Sequence, residues 1–287
     1  MKFFNNGWIN GFIGVVIFSG TLPATRVAVM DFNPTFLTAA RAAIAGILGL
    51  ILILLSRQQY PQKKHWLPLA YVAMGVVIGF PLFTSLALQY ISAAHSIVFI
   101  GLLPLATAIF GVLRGGERLS FLFWLFSVLG GALVCGYMLF AMENFFLNYG
   151  DMLMLVAILL CGFGYAEGAV LSKALGGWQV ICWALILTLP IMLIISYLYL
   201  PTNFAQASFS AKLALGYVSL FSMLIGFFFW YKGLAQGGIA KVSQLQLLQP
   251  LFGLAIAATL LHEPVSAAMV IITCVVVICV ACAKKWA

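Results

Sequence analysis

The sequence predicts an all-α polytopic membrane protein: ten transmembrane helices arranged as two inverted five-helix repeats. Three observations predict it. The 287 residues are 64% hydrophobic and only 7% charged, with a mean hydropathy of +1.15, far from the roughly 25% charge of soluble domains. Uninterrupted apolar runs of about 20 residues, the length that crosses a bilayer as a helix, recur along the chain. They do not alternate with polar residues as the strands of a membrane barrel would. Finally, the chain repeats at an offset of 146 positions. That shift matches Leu88 with Leu234, Ala94 with Ala240, Leu102 with Leu248, Pro104 with Pro250, Leu105 with Leu251, Glu117 with Glu263 and Ser120 with Ser266. The first repeat occupies residues 1–141 and the second 142–287.

The first span, 8–30, follows Lys2 and outlasts a signal-peptide core, and no small-x-small cleavage site closes it, so it is read as a retained helix. Asn33 and Pro34 open the second, 34–56. A basic connection at 57–65 precedes the third, 66–89, and the fourth, 92–113, runs to the Gly115 and Gly116 turn. Ser120 is placed to cap the fifth, 120–140. The sixth, 150–173, carries Gly164 and Gly168, a small-x-x-x-small pair suited to close helix approach. Gly176 and Gly177 separate it from the seventh, 178–200, and the eighth is 212–234. The ninth, 239–261, follows Gly237 and Gly238 and contains Pro250, which frees the carbonyl of Gln246 one turn back. After His262, Glu263 and Pro264, Ser266 caps the tenth, 265–284. The longest connections, 57–65, 142–149 and 201–211, could not hold a soluble domain.

Basic residues set the orientation. With ten spans, Lys2, Arg57, Lys63, Lys64, Arg114, Arg118, Lys173, Lys232, Lys284 and Lys285 share the side of both termini, the cytoplasm. Asp31, Glu143, Asp151 and Glu263 face the other side with only Lys212 clearly basic there. Five helices per repeat is an odd number, so the second copy enters the membrane inverted. Inverted repeats are a carrier architecture, with the solute near the midplane where the halves meet.

Polar groups inside spans are costly and mark cavities or helix contacts. Arg26 lies towards the outer end of the first helix, and Arg41 about two turns, roughly 10 Å, into the second. Arg26 either snorkels or binds; Arg41 either pairs with a carboxylate such as Asp31 or lines a cavity. Glu167, beside Tyr165, is the carboxylate deepest in a span; it is read as a proton- or amine-binding group or as the internal partner of an arginine, Arg26 or Arg41. Gln246, Gln249 and Pro250 share one face of the ninth helix, where amides suit a polar solute, while Gln244 points elsewhere. The first copy has Ile100, Leu103 and Pro104 there, so the polarity belongs to the second half alone. Trp230, Tyr231 and Lys232 suit either a membrane interface or the site, Tyr90 and His95 either an interface or a gate, and Glu117 and Glu263 surface anchors.

The formal charge of +8 is spread over short connections, which argues against nucleic acid as a partner. Six cysteines lie in apolar runs, and the Cys279 and Cys282 pair has neither a second pair nor a histidine to make a metal site. No phosphate-binding loop, zinc motif or nucleophile elbow is present, so neither enzymatic activity nor a cofactor is expected.

At PLATAIFGVLRGGERLS and PLFGLAIAATLLHEP, and at ALQYISAAHSIVFIGLLP with its echo GLAQGGIAKVSQLQLLQP, the chain resembles the two EamA domains of the drug/metabolite transporter superfamily. The resemblance covers essentially the whole chain. It departs in the first helix, where Ser19, Gly20 and Arg26 stand in place of a Trp-Gly pair and a lysine; Arg41 matches an arginine of the family's second helix. The resemblance implies an inner-membrane exporter of small metabolites, often amino acids, with a cavity lined by helices 1, 3, 4, 6, 8 and 9. The expected partners are a small-molecule substrate and the lipid bilayer, with monomer and homodimer both open. A carrier of amphipathic drugs or toxic cations and a non-transporting interaction protein are the alternatives. The expected substrate-binding set is Glu167, Gln246, Gln249, Arg41, Arg26, Tyr165, Trp230 and Tyr231.

Overall fold

The computed structural model describes residues 6–141, 148–262 and 265–285. Glu143, Glu263, Pro264 and Lys2, which entered the orientation and repeat arguments, lie outside them. The described residues are helical and contain no strand. Eight helices are long and apolar enough to cross a membrane: α1 Gly7–Asp31, α2 Pro34–Leu55, α3 Lys63–Ala87, α4 Ala93–Gly115, α6 Tyr149–Leu175, α7 Gly177–Leu198, α8 Phe209–Gly237 and α9 Ile239–Leu260. Two more, α5 Phe121–Ala141 and α10 Ala267–Lys285, have shorter described apolar stretches, Phe121–Leu133 and Ala267–Ala283.

Small polar residues start these helices because their side chains accept otherwise orphaned amide protons. Asn6 accepts from Trp8 N, and Asn33 from Thr35 N with Pro34 next in sequence. Ser92 caps α4, Asn148 and Asp151 form a capping box on α6, and Ser208 caps α8. Ser120 and Ser266 cap α5 and α10 as expected, accepting from Phe123 N and Met269 N.

Helix directions follow from named contacts. α1 runs antiparallel to α8: Gly7 meets Gly237, Gly14 meets Trp230 and Gly20 meets Tyr217. α3 and α6 repeat the relation, Gly75 against Gly164 and Gly79 against Leu160. These contacts are backbone-close; a Cβ on Gly7 would lie 2.7 Å from Gly237 N, and one on Gly75 2.6 Å from Leu160 O. In a bilayer such approach replaces hydrophobic burial as the driving force. Gly164 and Gly168 do serve close packing, but against two elements, Val76 of α3 and Tyr231 of α8. α4 and α6 run parallel, tied near their starts by His95 and Asp151 at 2.8 Å and near their ends by Arg114 and Glu167 at 2.6 Å.

Regular α geometry is interrupted in five of the described helices. Pro23 has no amide proton for Ser19 O, and α1 turns at Gly20 between Gly7–Ser19 and Thr21–Asp31. α3 and α8 each widen into π-helix, at Ala73–Gly79 and Val218–Ile225. α4 and α9 tighten into 3₁₀ turns, Ile100–Leu102 and Gln244–Leu247, ahead of Pro104 and Pro250. The π and 3₁₀ stretches thus fall at matching places in the two halves, whereas the break in α1 has no counterpart in the continuous α6.

Candidate functional site

A cavity sits among these irregular segments. It is lined by Phe18 and Thr21 of α1, Arg41 of α2, Val76, Phe80 and Pro81 of α3, Leu103 of α4, Tyr165 of α6, Ser222 and Phe227 of α8, and Gln249 of α9. The space open to the centre of a water molecule is about 20 Å³, room for about one water. The site is therefore closed around almost nothing.

Arg41 is 2% exposed. Its Nη2 donates to Ser222 Oγ at 3.1 Å, and Ser222 shares a 2.9 Å hydrogen bond with Thr21. Arg41 Nε and Nη1 are buried without a partner among the described residues. The expected partner Asp31 is engaged elsewhere, its Oδ2 accepting from Ser208 N at 2.7 Å. The break in α1 also feeds the site. Ile17 O accepts from Tyr217, and Phe18 O accepts from Gln249 Nε2 at 3.3 Å, leaving Gln249 Oε1 unpaired. Gln246 is fully buried beside Tyr165, with no hydrogen bond of good geometry to either amide atom. Gln244 turns away, as its spacing implies, and donates to Ala240 O on its own helix.

Tyr165 anchors an aromatic wall, stacked on Phe18 and edge-on to Phe227, with Trp230 at 5.4 Å. Trp230 and Tyr231 are fully buried, which corrects the interfacial reading. The glycine face of α1 lies over Trp230, and Tyr231 donates its hydroxyl to Gly164 O at 3.1 Å. Neither lines the cavity directly.

Gln246 is not among the cavity-lining residues either, and Glu167 and Arg26 lie apart from the cavity. Glu167 faces Arg114, Nε to Oε2 at 2.6 Å and Nη2 to Oε1 at 3.0 Å, rather than Arg26 or Arg41. Arg26 donates from Nη1 to Leu88 O, capping the last turn of α3. Glu117 accepts from Ile239 N at 2.6 Å and Ala240 N at 2.8 Å, holding the start of α9. His95 pairs with Asp151, and Tyr90 stands edge-on to Tyr149. Phe18, Thr21 and Ser222 escape the sequence reading; intramembrane hydroxyls at 21, 25, 219 and 222 are the signal that could have found two of them.

The chain matches the EamA-like transporter family twice, over residues 5–139 and 148–283. It belongs to that family. Among its relatives is the uncharacterized transporter YdeK of Bacillus subtilis (strain 168), 60% identical over 282 residues and 98% of both chains. The uncharacterized transporter YoaV of the same organism is 22% identical over 266 residues, 89% of each. A solved crystal structure shares the fold at 20% identity with a TM-score of 0.74, covering 98% of this chain and 99% of that one. This EamA-like protein is thus a membrane transporter, with a small molecule as cargo and the bilayer as its surroundings.

Proposed function

We propose that this transporter is a secondary carrier that exports amino acids or related metabolites across the cell inner membrane by alternating access, with the cavity at Arg41 as its solute site. The observation that carries this reading is the cavity itself: buried polar atoms of Arg41 and Gln249 facing a small closed space where several helices lose regular geometry. Broken helices surrounding a central cavity are how carriers present polar groups to a solute within a membrane. Arg41, Gln249, Gln246 and Tyr165 form the binding set. Trp230 and Tyr231 support the wall, and Glu167 and Arg26 fasten helices beside it.

The reading extends to ten spans in two inverted repeats, divided between residues 141 and 142, with both termini cytoplasmic. The parallel run of α4 and α6 supports it, because the chain must return between them, and α5, at 21 residues and about 1.5 Å each, is long enough to do so. The two antiparallel pairs, α1 with α8 and α3 with α6, are what inversion of one unit onto the other produces. Export of amphipathic cations, the alternative, calls for a free carboxylate at the site, and Glu167 is already bound by Arg114.

Counterflow of radiolabelled amino acids into proteoliposomes tests the proposal. Saturable exchange that is lost in Arg41→Gln is expected. Absence of exchange across the twenty amino acids, with exchange of a hydrophobic cation instead, would sink it.

A further inference from the structure

Resting on the reading of this cavity as the solute site, we infer that its solute carries a carboxylate bound by Arg41, joined to an apolar body, and that the site makes no demand for a positive charge on the solute. The first ground is an unanswered charge. A guanidinium buried to 2% exposure in a membrane interior is tolerated when an anion or several acceptors face it. Here one hydroxyl, Ser222 Oγ, takes Nη2, while Nε and Nη1 meet no acceptor among the described residues. Nη2 carries two protons, one on the edge shared with Nε and one on the edge shared with Nη1; Ser222 takes one of them, so one edge keeps the planar fork that grips a carboxylate with two parallel hydrogen bonds.

The protein's own described carboxylates are all committed elsewhere. Asp31 holds Ser208 N, Glu117 holds the start of α9, Asp151 pairs with His95, and Glu167 pairs with Arg114. None lines the cavity. With no described carboxylate left for Arg41, we assign its counter-charge to the cargo. Among the described residues there is likewise no free carboxylate to pair with an ammonium group.

The remaining lining describes the rest of the solute. Gln249 Oε1 is buried and unpaired, an acceptor for one N–H or O–H. Phe18, Phe80, Leu103, Tyr165, Phe227 and Val76 supply an apolar wall. A carboxylate at one end and hydrocarbon at the other is the complement of that arrangement. The walls must part to admit it, since the closed cavity holds about one water.

Three probes that differ only in charged groups separate the possibilities: hexanoate, its 2-amino derivative norleucine, and pentylamine, which is norleucine without the carboxylate. Thermal stabilisation of the purified full-length protein in detergent reports binding. Hexanoate and norleucine are expected to raise the melting temperature saturably, and pentylamine is not. Arg41→Gln should weaken the hexanoate effect about tenfold or more, the scale of a lost hydrogen bond to a charged group, and Arg41→Lys should recover part of it. The wild-type panel needs no variant to fold. Stabilisation by pentylamine but not hexanoate, or by norleucine but not hexanoate, overturns the inference, as does full hexanoate binding by Arg41→Gln.

A Leu103→Trp variant, which fills the cavity, tells the two failures apart. If it abolishes binding of whichever probe the wild type prefers, the cavity stands as the solute site and only the carboxylate assignment falls. If binding persists in the filled cavity, or no probe binds the wild type, the cavity reading falls as well.

Discussion

Arg114 and Glu167 form a two-pronged ion pair between α4 and α6, with Nε on Oε2 at 2.6 Å and Nη2 on Oε1 at 3.0 Å. The partners differ in burial, Glu167 at 4% side-chain exposure and Arg114 at 42%. Arg114 also lies over the ring of Tyr71, 5.9 Å from its centroid. The pair fastens two parallel helices at the end away from His95 and Asp151.

That asymmetry predicts unequal single mutants. Arg114→Gln strands a buried carboxylate and should cost about 2–3 kcal/mol, at or below the low end for breaking a buried pair because Arg114 is partly exposed. Glu167→Gln leaves an arginine able to reach the surface and should cost about 1 kcal/mol or less. The double variant should recover most of the loss in Arg114→Gln. Denaturant or thermal unfolding of the three variants measures this, and equal single losses would contradict it. On the proposed reading, in which Glu167 fastens helices beside the cavity, Glu167→Gln should also keep most transport activity with an unaltered pH profile.

Glu117 gives a second expectation. Both carboxylate oxygens accept backbone protons at the first turn of α9, which would otherwise lack partners. Glu117→Ala should destabilise by about 1–2 kcal/mol, the range of a lost cap with its charge. Glu117→Gln, which can place one oxygen, should fall between it and the wild type. A Glu117→Gln protein less stable than Glu117→Ala would rule out the cap.

The glycine contact between α1 and α8 leaves no room for a methyl group. A Cβ on Gly233 would lie 2.7 Å from Gly11 N and 2.9 Å from Gly7 O. Gly233→Ala should therefore force the helices apart, costing about 1–3 kcal/mol in the manner of overpacking. Gly216, with nothing near its Cβ position, is the control: Gly216→Ala should be neutral or mildly stabilising, since alanine favours helix. Paired melts of the two variants decide the matter.

Much of this arrangement was legible in the residues. Apolar runs of bilayer length located the helices, with boundaries within about three residues of those observed. Ser120, Ser266, Asn33 and Pro34 act where their chemistry places them. Gln244, set apart by its spacing from Gln246 and Gln249, bonds its own helix, and Gln249 lines the cavity. Other features were hidden for identifiable reasons. Arg114 and Glu167 lie 53 residues apart, and Arg114 already had an explanation as an orientation signal. Trp230 and Tyr231 have an interfacial composition, yet the glycines of α1 and Gly168 of α6 draw neighbouring helices over them. No residue pattern within the π-helical stretches of α3 and α8 announces their change of register.

Gln246 separates stability from function most sharply. It is fully buried beside the Tyr165 hydroxyl, and neither amide atom makes a hydrogen bond of good geometry, although an unsatisfied buried amide costs about 1–3 kcal/mol. On the proposed reading Gln246 is kept for the solute, and its amide is completed when the solute is present. Methionine is close in length and flexible enough to fill the same space. Gln246→Met should therefore raise the unfolding free energy by about 1–2 kcal/mol while reducing solute exchange in proteoliposomes by about fivefold or more, the effect of losing a hydrogen bond of about 1 kcal/mol or more. Gln244→Met should leave exchange unchanged, because that amide donates to the carbonyl of Ala240 on its own helix. Loss of stability in Gln246→Met with exchange intact would reverse the assignment and make Gln246 a structural residue.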